Sequence, residues 1–225
     1  MQREIQVTAD GSHTLFLKDN NSTYHSHHGA ISESTHVFIQ AGLLPLLKQE
    51  PADPVRILEI GFGTGLNALL TLIEADRSAI QVSYTAVEPH PLTAEEYSLL
   101  NYGKLLNREN DFITLHTIPE NTSSRISPFF TIRKFQQEIQ MLNDLPTADC
   151  IFFDAFSPTD QPDMWTAEVF SSLFQCLSPA GMLVTYCSKT TVRNILRSVG
   201  FTVTKIPGPF GKREMVRALK SDNSL

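Results

Sequence analysis

The stretch VRILEIGFGTG, residues Val55–Gly65, sets a short apolar run against three glycines spaced two apart. Val55, Ile57 and Leu58 make a run too short for a helix and rich in β-branched residues, which predicts a strand buried in a parallel sheet. After Gly65 the residues Leu66-Asn67-Ala68-Leu69-Leu70-Thr71-Leu72 are good helix formers. Strand, glycine turn and helix form the first half of a nucleotide-binding βαβ unit, with glycine where the turn is tight and a ligand nears the backbone.

Spacing separates two readings of that turn. A dinucleotide fingerprint, G-x-G-x-x-G, requires glycine at position 66, which is leucine here. The pattern present is acid-x-G-x-G-x-G, which resembles the first motif of class I S-adenosylmethionine-dependent methyltransferases. That resemblance implies Glu59 for the methionine end of the cofactor and Gly61, Gly63 and Gly65 for the turn.

A chain of 225 residues is long enough to bury a full α/β core. We expect two parts: residues 1–50 as a hairpin and cap segment packed on a main domain of residues 51–225. No apolar run nears the ~18 residues of a membrane span, and the N-terminus is too polar for a signal peptide. Cys150, Cys176 and Cys187 form no C-x-x-C pair, which fits reduced thiols in a cytoplasmic protein.

The net charge of −6 disfavours a nucleic-acid partner until its distribution is read. Lys189 to Lys220 holds eight basic residues and one acid, a local net of +7, and the remainder nets −13. Such asymmetry suggests a polyanion-facing side, although a charged, solvated C-terminal helix gives the same count.

Asp10-Gly11 between EIQVT (4–8) and TLFLK (14–18) predicts an N-terminal β-hairpin. In YHSHHGAISESTHVF (24–38), Ser32 or Ser34 is the expected cap of a helix running towards Leu43. His25, His27, His28 and His36 lack thiolates and an H-x-x-x-H pair in an evident helix, so no metal is expected and the segment reads as a cap or wall of a cleft. Gln81–Val87 forms the next strand, and Glu88 at its tip stands where a carboxylate accepts from ribose hydroxyls. Thr93 with Glu96 reads as a capping box. Strands are expected within Phe129–Lys134 and at Thr147–Asp154, Met182–Cys187, Phe201–Ile206 and Met215–Leu219. Helices are expected at Gln136–Leu142, 165–177 and Lys189–Val199. The residue that seats the adenine cannot be placed.

Asp154 ends its strand in the cleft shared by Glu59 and Glu88. From it, DAFSPTDQPDMWT, then LVTYCSK, VRNILRSVGFTV and GPFGKREM together resemble the methyltransferase domain of the bifunctional tRNA-modification enzyme MnmC, and more closely its stand-alone MnmD-type relatives. YHSHHGAISESTHVF and EIGFGTGLN fit the same family. The resemblance implies a doubly wound, Rossmann-like class I fold with seven strands and an N-terminal hairpin. It implies N-methylation of 5-aminomethyl(-2-thio)uridine at the tRNA wobble position. MnmC also has an FAD-dependent domain, and this sequence holds no second dinucleotide fingerprint, so methyl transfer alone is expected.

Within that reading Asp154 binds the ammonium and takes its proton. Phe156 and Trp165 stack on the uracil or pack the core, Tyr186 lines the amine pocket, and Lys212 with Arg213 meets anticodon phosphates. The rivals are a small-amine methyltransferase or aminopropyltransferase, a Rossmann oxidoreductase, and a non-catalytic cofactor-binding module.

Overall fold

The computed structural model describes residues 3–19, 21–48, 54–142 and 144–221. The chain opens with β1 (Arg3–Val7) and β2 (His13–Leu17), antiparallel across the Asp10-Gly11 turn, and β3 (Ser22–Thr23) pairs with β2 as a small three-stranded sheet. A helical segment follows: α1 (Ala30–Ser34), a π-helical stretch Thr35–Leu43, and α2 (Leu44–Leu47). It begins two residues before Ser32, so neither expected serine caps it. Its first amides are capped by the hairpin turn instead. Ser12 Oγ accepts from the N–H groups of Ala30 and Ile31 at 3.1 and 3.3 Å, and Asp10 Oδ2 from that of Ser32 at 2.9 Å. Burial raises the Asp10 pKa, but the Ser12 hydroxyl, the N–H groups of Ser32 and Ser12 and the Thr8 hydroxyl donate to the carboxylate, outweigh burial and bring it down to about 2.

The main sheet begins with β4 (Val55–Ile60), followed by α3 (Leu66–Ser78) and β5 (Val82–Val87). Helices α4 (Ala94–Ser98), α5 (Tyr102–Leu105) and α6 (Glu109–Thr117) precede β6 (Ser124–Ser127) and β7 (Phe130–Phe135). The capping box is present, with Thr93 Oγ1 and Glu96 each meeting the other's backbone N–H. Then come β8 (Ala148–Phe153), α7 (Ala167–Cys176), β9 (Leu177–Thr185), α8 (Thr190–Ser198), β10 (Phe201–Pro207) and β11 (Glu214–Lys220).

The sheet order is β10-β11-β9-β8-β4-β5-β7-β6. Strands β7, β5, β4, β8 and β9 run parallel, while β11, β10 and β6 are antiparallel to their neighbours. The sheet therefore has eight strands where seven were expected. The added strand, β6, reads Ser-Arg-Ile-Ser, with no apolar run to announce it, and a register shift interrupts its pairing. The helix expected over Gln136–Leu142 is only a 3₁₀ turn at Ile139–Met141.

Alternation along the central strands feeds two cores. Ile57, Phe152 and Val184 face the Ala30–Leu47 segment and α3; Leu58, Phe153 and Leu183 face α7 and α8. Burying each such side chain contributes about 1.5–3 kcal/mol. Gly42 lets the N-terminal helical segment sit close to the sheet, since a Cβ there would stand 2.9 Å from the Phe152 ring. No helix among the described residues is long and apolar enough to cross a membrane.

Candidate active site

The chain leaves β4 to build β5 and β7 on one side, then returns to lay β8 on the other. At this switch point the carboxyl ends of β4 and β8 diverge, which is where open α/β sheets bind ligands. A cavity of about 540 Å³ opens there. Its wall includes Gly61, Phe62, Gly63, Asn67, Glu88, Asp154, Phe156 and Tyr186, and also Tyr24, Glu33 and Lys212 from segments outside the central strands.

The glycine turn is shaped by close packing within the protein. Gly61 has φ of 91°, and a Cβ there would lie 2.6 Å from the carbonyl oxygen of Asp154. That approach joins the ends of β4 and β8, with the Asp154 N–H donating to Ile60 O at 2.9 Å. Gly63 N–H donates to Glu88 Oε2 at 2.9 Å, and His90 N–H to Glu88 Oε1 at 2.8 Å. Each Glu88 oxygen keeps a further lone pair for a ligand hydroxyl.

Glu59 lies deeper than expected. It is fully buried and does not line the cavity; neither does Gly65. From the sequence Glu59 is expected to meet the cofactor directly; its side chain instead stands behind the cavity wall, where Asn67 Nδ2 donates to Glu59 Oε1 at 2.9 Å and to Asp154 Oδ2 at 2.8 Å. Burial pushes the Glu59 carboxyl well above the usual carboxylate range, against the Asn67 hydrogen bond that lowers it. Burial likewise raises Asp154 to about 7, opposed by Asn67 and assisted by the nearby Glu33 charge. Among the described residues Asn67 Oδ1 meets no hydrogen-bond donor, and the Tyr84 hydroxyl is the further neighbour that lowers the Glu59 pKa.

Phe156 lines the cavity, edge to face with Tyr24 at 4.9 Å between ring centroids. Tyr186 lines it as well and donates its hydroxyl to Ala155 O at 2.9 Å. Trp165 does not. It is 4 % exposed, packs edge-on against Phe153, and donates its indole N–H to Phe156 O at 2.8 Å. Trp165 is a core residue that braces the loop carrying Phe156, so of its two expected roles packing the core is the one its position fits, and stacking on the uracil is not.

Lys212 points inward. Its Nζ is 2.6 Å from Glu33 Oε1 and 4.2 Å from the centre of the Tyr186 ring. Arg213 is exposed beside it. Arg217 and Lys220, counted among the basic residues, donate to the carbonyls of Ala41 and Leu177 and anchor β11. His25 is buried, which lowers its pKa to about 4, while His27 and His28 lie exposed at the cavity rim. Among the described residues no three His, Cys, Asp or Glu side chains gather to hold a metal ion. Sequence reading missed Tyr24, Glu33 and Asn67. Asn67 alone carried a signal, as a polar residue in the first turn of an otherwise apolar helix.

A family model for S-adenosyl-L-methionine-dependent methyltransferases matches residues 110–221. The chain belongs to that class, and S-adenosyl-L-methionine is its cofactor. Its relatives narrow the family further. Over 95 % of its length it is 30 % identical to the tRNA 5-methylaminomethyl-2-thiouridine biosynthesis bifunctional protein MnmC of Ralstonia nicotianae, covering 34 % of that protein. It is 28 % identical to the MnmC of Campylobacter hominis over 93 % of its length, covering 32 %. The solved structure of MNMC2 from Aquifex aeolicus superposes with a TM-score of 0.79 at 27 % identity, over 96 % of this chain and 69 % of that one. The chain thus spans about a third of the length of the curated relatives it matches.

The residues present fit the cofactor. Glu88 offers acceptors at the end of β5, and Gly61, Phe62 and Gly63 of the glycine turn form the adjoining wall with Asn67. Five carboxylates (Glu33, Glu88, Glu138, Asp154, Asp160) line the cavity against two strong cations, Arg3 and Lys212, and the Arg3 guanidinium is paired with Glu96 at 2.9 Å. That balance suits a guest bearing positive charge.

Proposed function

We propose that this protein N-methylates the primary amine of 5-aminomethyl(-2-thio)uridine at the tRNA wobble position, in the cytoplasm. The carrying observation is Asp154, held at the cavity by Asn67 with its pKa near 7. Bound S-adenosyl-L-methionine supplies a methyl group on a sulfonium, which an unprotonated amine takes by in-line displacement. An alkylamine has a pKa of about 10 and reaches the site as ammonium. Asp154 receives that ammonium as a hydrogen-bond acceptor and takes its proton, for which a pKa near 7 is well matched. Asn67 fixes the carboxylate, so the proton acceptor is oriented before the substrate arrives.

Phe156 and Tyr24 offer aromatic surface for the uracil, which must leave the anticodon stack to enter a cavity. Exposed Arg213 and Lys189 serve the phosphates, positioning the RNA without reading its sequence. The MnmC relatives, named for biosynthesis of 5-methylaminomethyl-2-thiouridine, the base this methylation would yield, support the substrate assignment. The test is transfer of labelled methyl from S-adenosyl-L-methionine to tRNA bearing 5-aminomethyluridine, followed by nuclease digestion. Label on the wobble base is the expected result. Label on a free small amine, with none on the tRNA, would replace this reading with the small-amine one.

A further inference from the structure

Lys212 lies in the loop between β10 and β11, and its backbone is tightly held. Gly208 N–H donates to Arg213 O at 3.2 Å and Lys212 N–H to Pro209 O at 2.9 Å, and a Cβ on Gly208 would lie 2.4 Å from Lys212 O. The loop also rests on the N-terminal segment, with Phe210 edge-on to His28 at 5.2 Å between ring centroids and His36 Nε2 2.9 Å from Pro207 O. From this fixed base the lysine side chain reaches into the cavity. Its ammonium has the Glu33 carboxylate at 2.6 Å and the Tyr186 ring centre at 4.2 Å.

A carboxylate together with an aromatic face is the recognition set for an ammonium ion. Here both are supplied within a cavity that otherwise carries surplus negative charge. Glu33 is also preset. It is 8 % exposed, and its second oxygen accepts from Ser26 N–H at 2.7 Å. Its helix is pinned by Asp10 and Ser12, so the carboxylate stays in place if the lysine leaves. The lysine, on a flexible four-carbon stem with its side chain 35 % exposed, has a path to solvent.

We propose that Glu33 and the face of Tyr186, beside the proton acceptor Asp154, form the subsite for the substrate's ammonium group, and that Lys212 fills this subsite in the free protein until the substrate displaces it. The inference rests on the amine substrate of the proposed function and deepens it. Specificity follows directly. An arriving ammonium exchanges one cation for another, whereas a neutral guest that displaces Lys212 leaves a largely buried carboxylate unpaired. Neutral analogues of the same shape are therefore rejected.

The test is calorimetric titration at pH 8, with saturating S-adenosyl-L-homocysteine. The probes are the nucleosides 5-aminomethyluridine and 5-hydroxymethyluridine, and benzylammonium as a bare cation. Lys212→Met removes the occupant that every guest must displace, so it should tighten 5-aminomethyluridine and benzylammonium about tenfold or more and leave the preference for amine over hydroxyl in place. Glu33→Gln, which keeps an acceptor for Ser26 N–H, should cut the preference for amine over hydroxyl about tenfold or more, with Asp154 the acid that remains. Weaker amine binding by Lys212→Met would overturn the proposal and make Lys212 a direct substrate contact. A preference for amine over hydroxyl that is unchanged in Glu33→Gln would also overturn it, since the carboxylate would then not be what reads the charge. If benzylammonium tightens as expected but neither nucleoside binds, the ammonium subsite stands and the uridine assignment fails. If the nucleosides bind and Lys212→Met changes neither, the uridine assignment stands and the subsite is rejected.

Discussion

Asn67 Nδ2 donates to Asp154 Oδ2 at 2.8 Å, joining the first turn of α3 to the end of β8 across 87 residues of chain. The same nitrogen serves Glu59 Oε1, so one side-chain amide holds two buried acids whose pKa values are both raised. Replacing it removes the donor that links the two carboxyls and leaves Glu59 only the neighbouring Tyr84 hydroxyl among the described residues. Asn67→Leu should cost about 1–3 kcal/mol of stability, the penalty for buried polar groups left unpaired. Urea denaturation measures this. A loss under roughly 0.5 kcal/mol would mean that the amide bridge carries no weight.

Asp154 also makes stability depend on pH. Its folded pKa of about 7 lies above the usual 3.8, so between those values the folded form binds more protons than the unfolded. This contribution is fully present below the unfolded value and is lost as pH rises through the folded one. Glu59 acts in the same direction. His25 and His116, lowered to about 4 and 3 by burial, act oppositely below pH 6.5. In Asp154→Asn the histidine contributions remain, so the difference between the two stability curves reports Asp154 together with the part of the Glu59 shift that its charge causes. The variant should gain relative to the parent as pH rises from 4 to 7. Parallel curves from thermal melts over that range would reject the raised pKa.

Trp165→Phe tests the placement of the tryptophan in the core. The ring packing on Phe153 and Phe170 is largely kept, but the N–H donated to Phe156 O is removed. The expected cost is about 1 kcal/mol of stability with the KM for tRNA within about twofold of the parent. A residue that stacks on the base would instead raise KM by the equivalent of about 1–3 kcal/mol.

Arg213 and Lys189 are the exposed cations assigned to phosphates. Changing both to alanine should weaken tRNA binding and flatten the slope of log K against log salt by roughly 0.7–0.9 for each phosphate that is no longer neutralised. Filter binding at several salt concentrations reads the slope directly. An unchanged slope would move the RNA surface elsewhere.

The strands were legible where burial on both faces enforced apolar runs, as at VRILEI and DCIFF, and the hairpin where Asp10-Gly11 required a tight turn. What escaped had no local signature. The Ala30–Leu47 segment takes its caps from Asp10 and Ser12, some 20 residues away, so Ser32 and Ser34 misled the reading of its start. Ser124–Ser127 is a strand because β7 offers an edge, not because its own residues favour one. Asp154 and Glu88 were legible because strand ends in this fold converge on one cleft. Whether an acid at a strand end faces the cavity or lies beneath it depends on the pleat and on Asn67, and so Glu59 was placed one layer too high. Trp165 and Lys212 share that lesson. The sequence shows that a side chain is aromatic or basic, and only the packing shows that the indole N–H meets Phe156 and the ammonium meets Glu33.

The most direct test of the account is a single-turnover comparison of the parent with Asp154→Asn, run alongside the dissociation constant of S-adenosyl-L-methionine. With cofactor and tRNA saturating at pH 7, the methylation rate should fall about 10²–10⁴-fold, as for loss of a proton acceptor, while cofactor affinity stays within about threefold. A rate that falls only as far as cofactor binding weakens, or one that does not fall, would contradict Asp154 as the group that readies the amine.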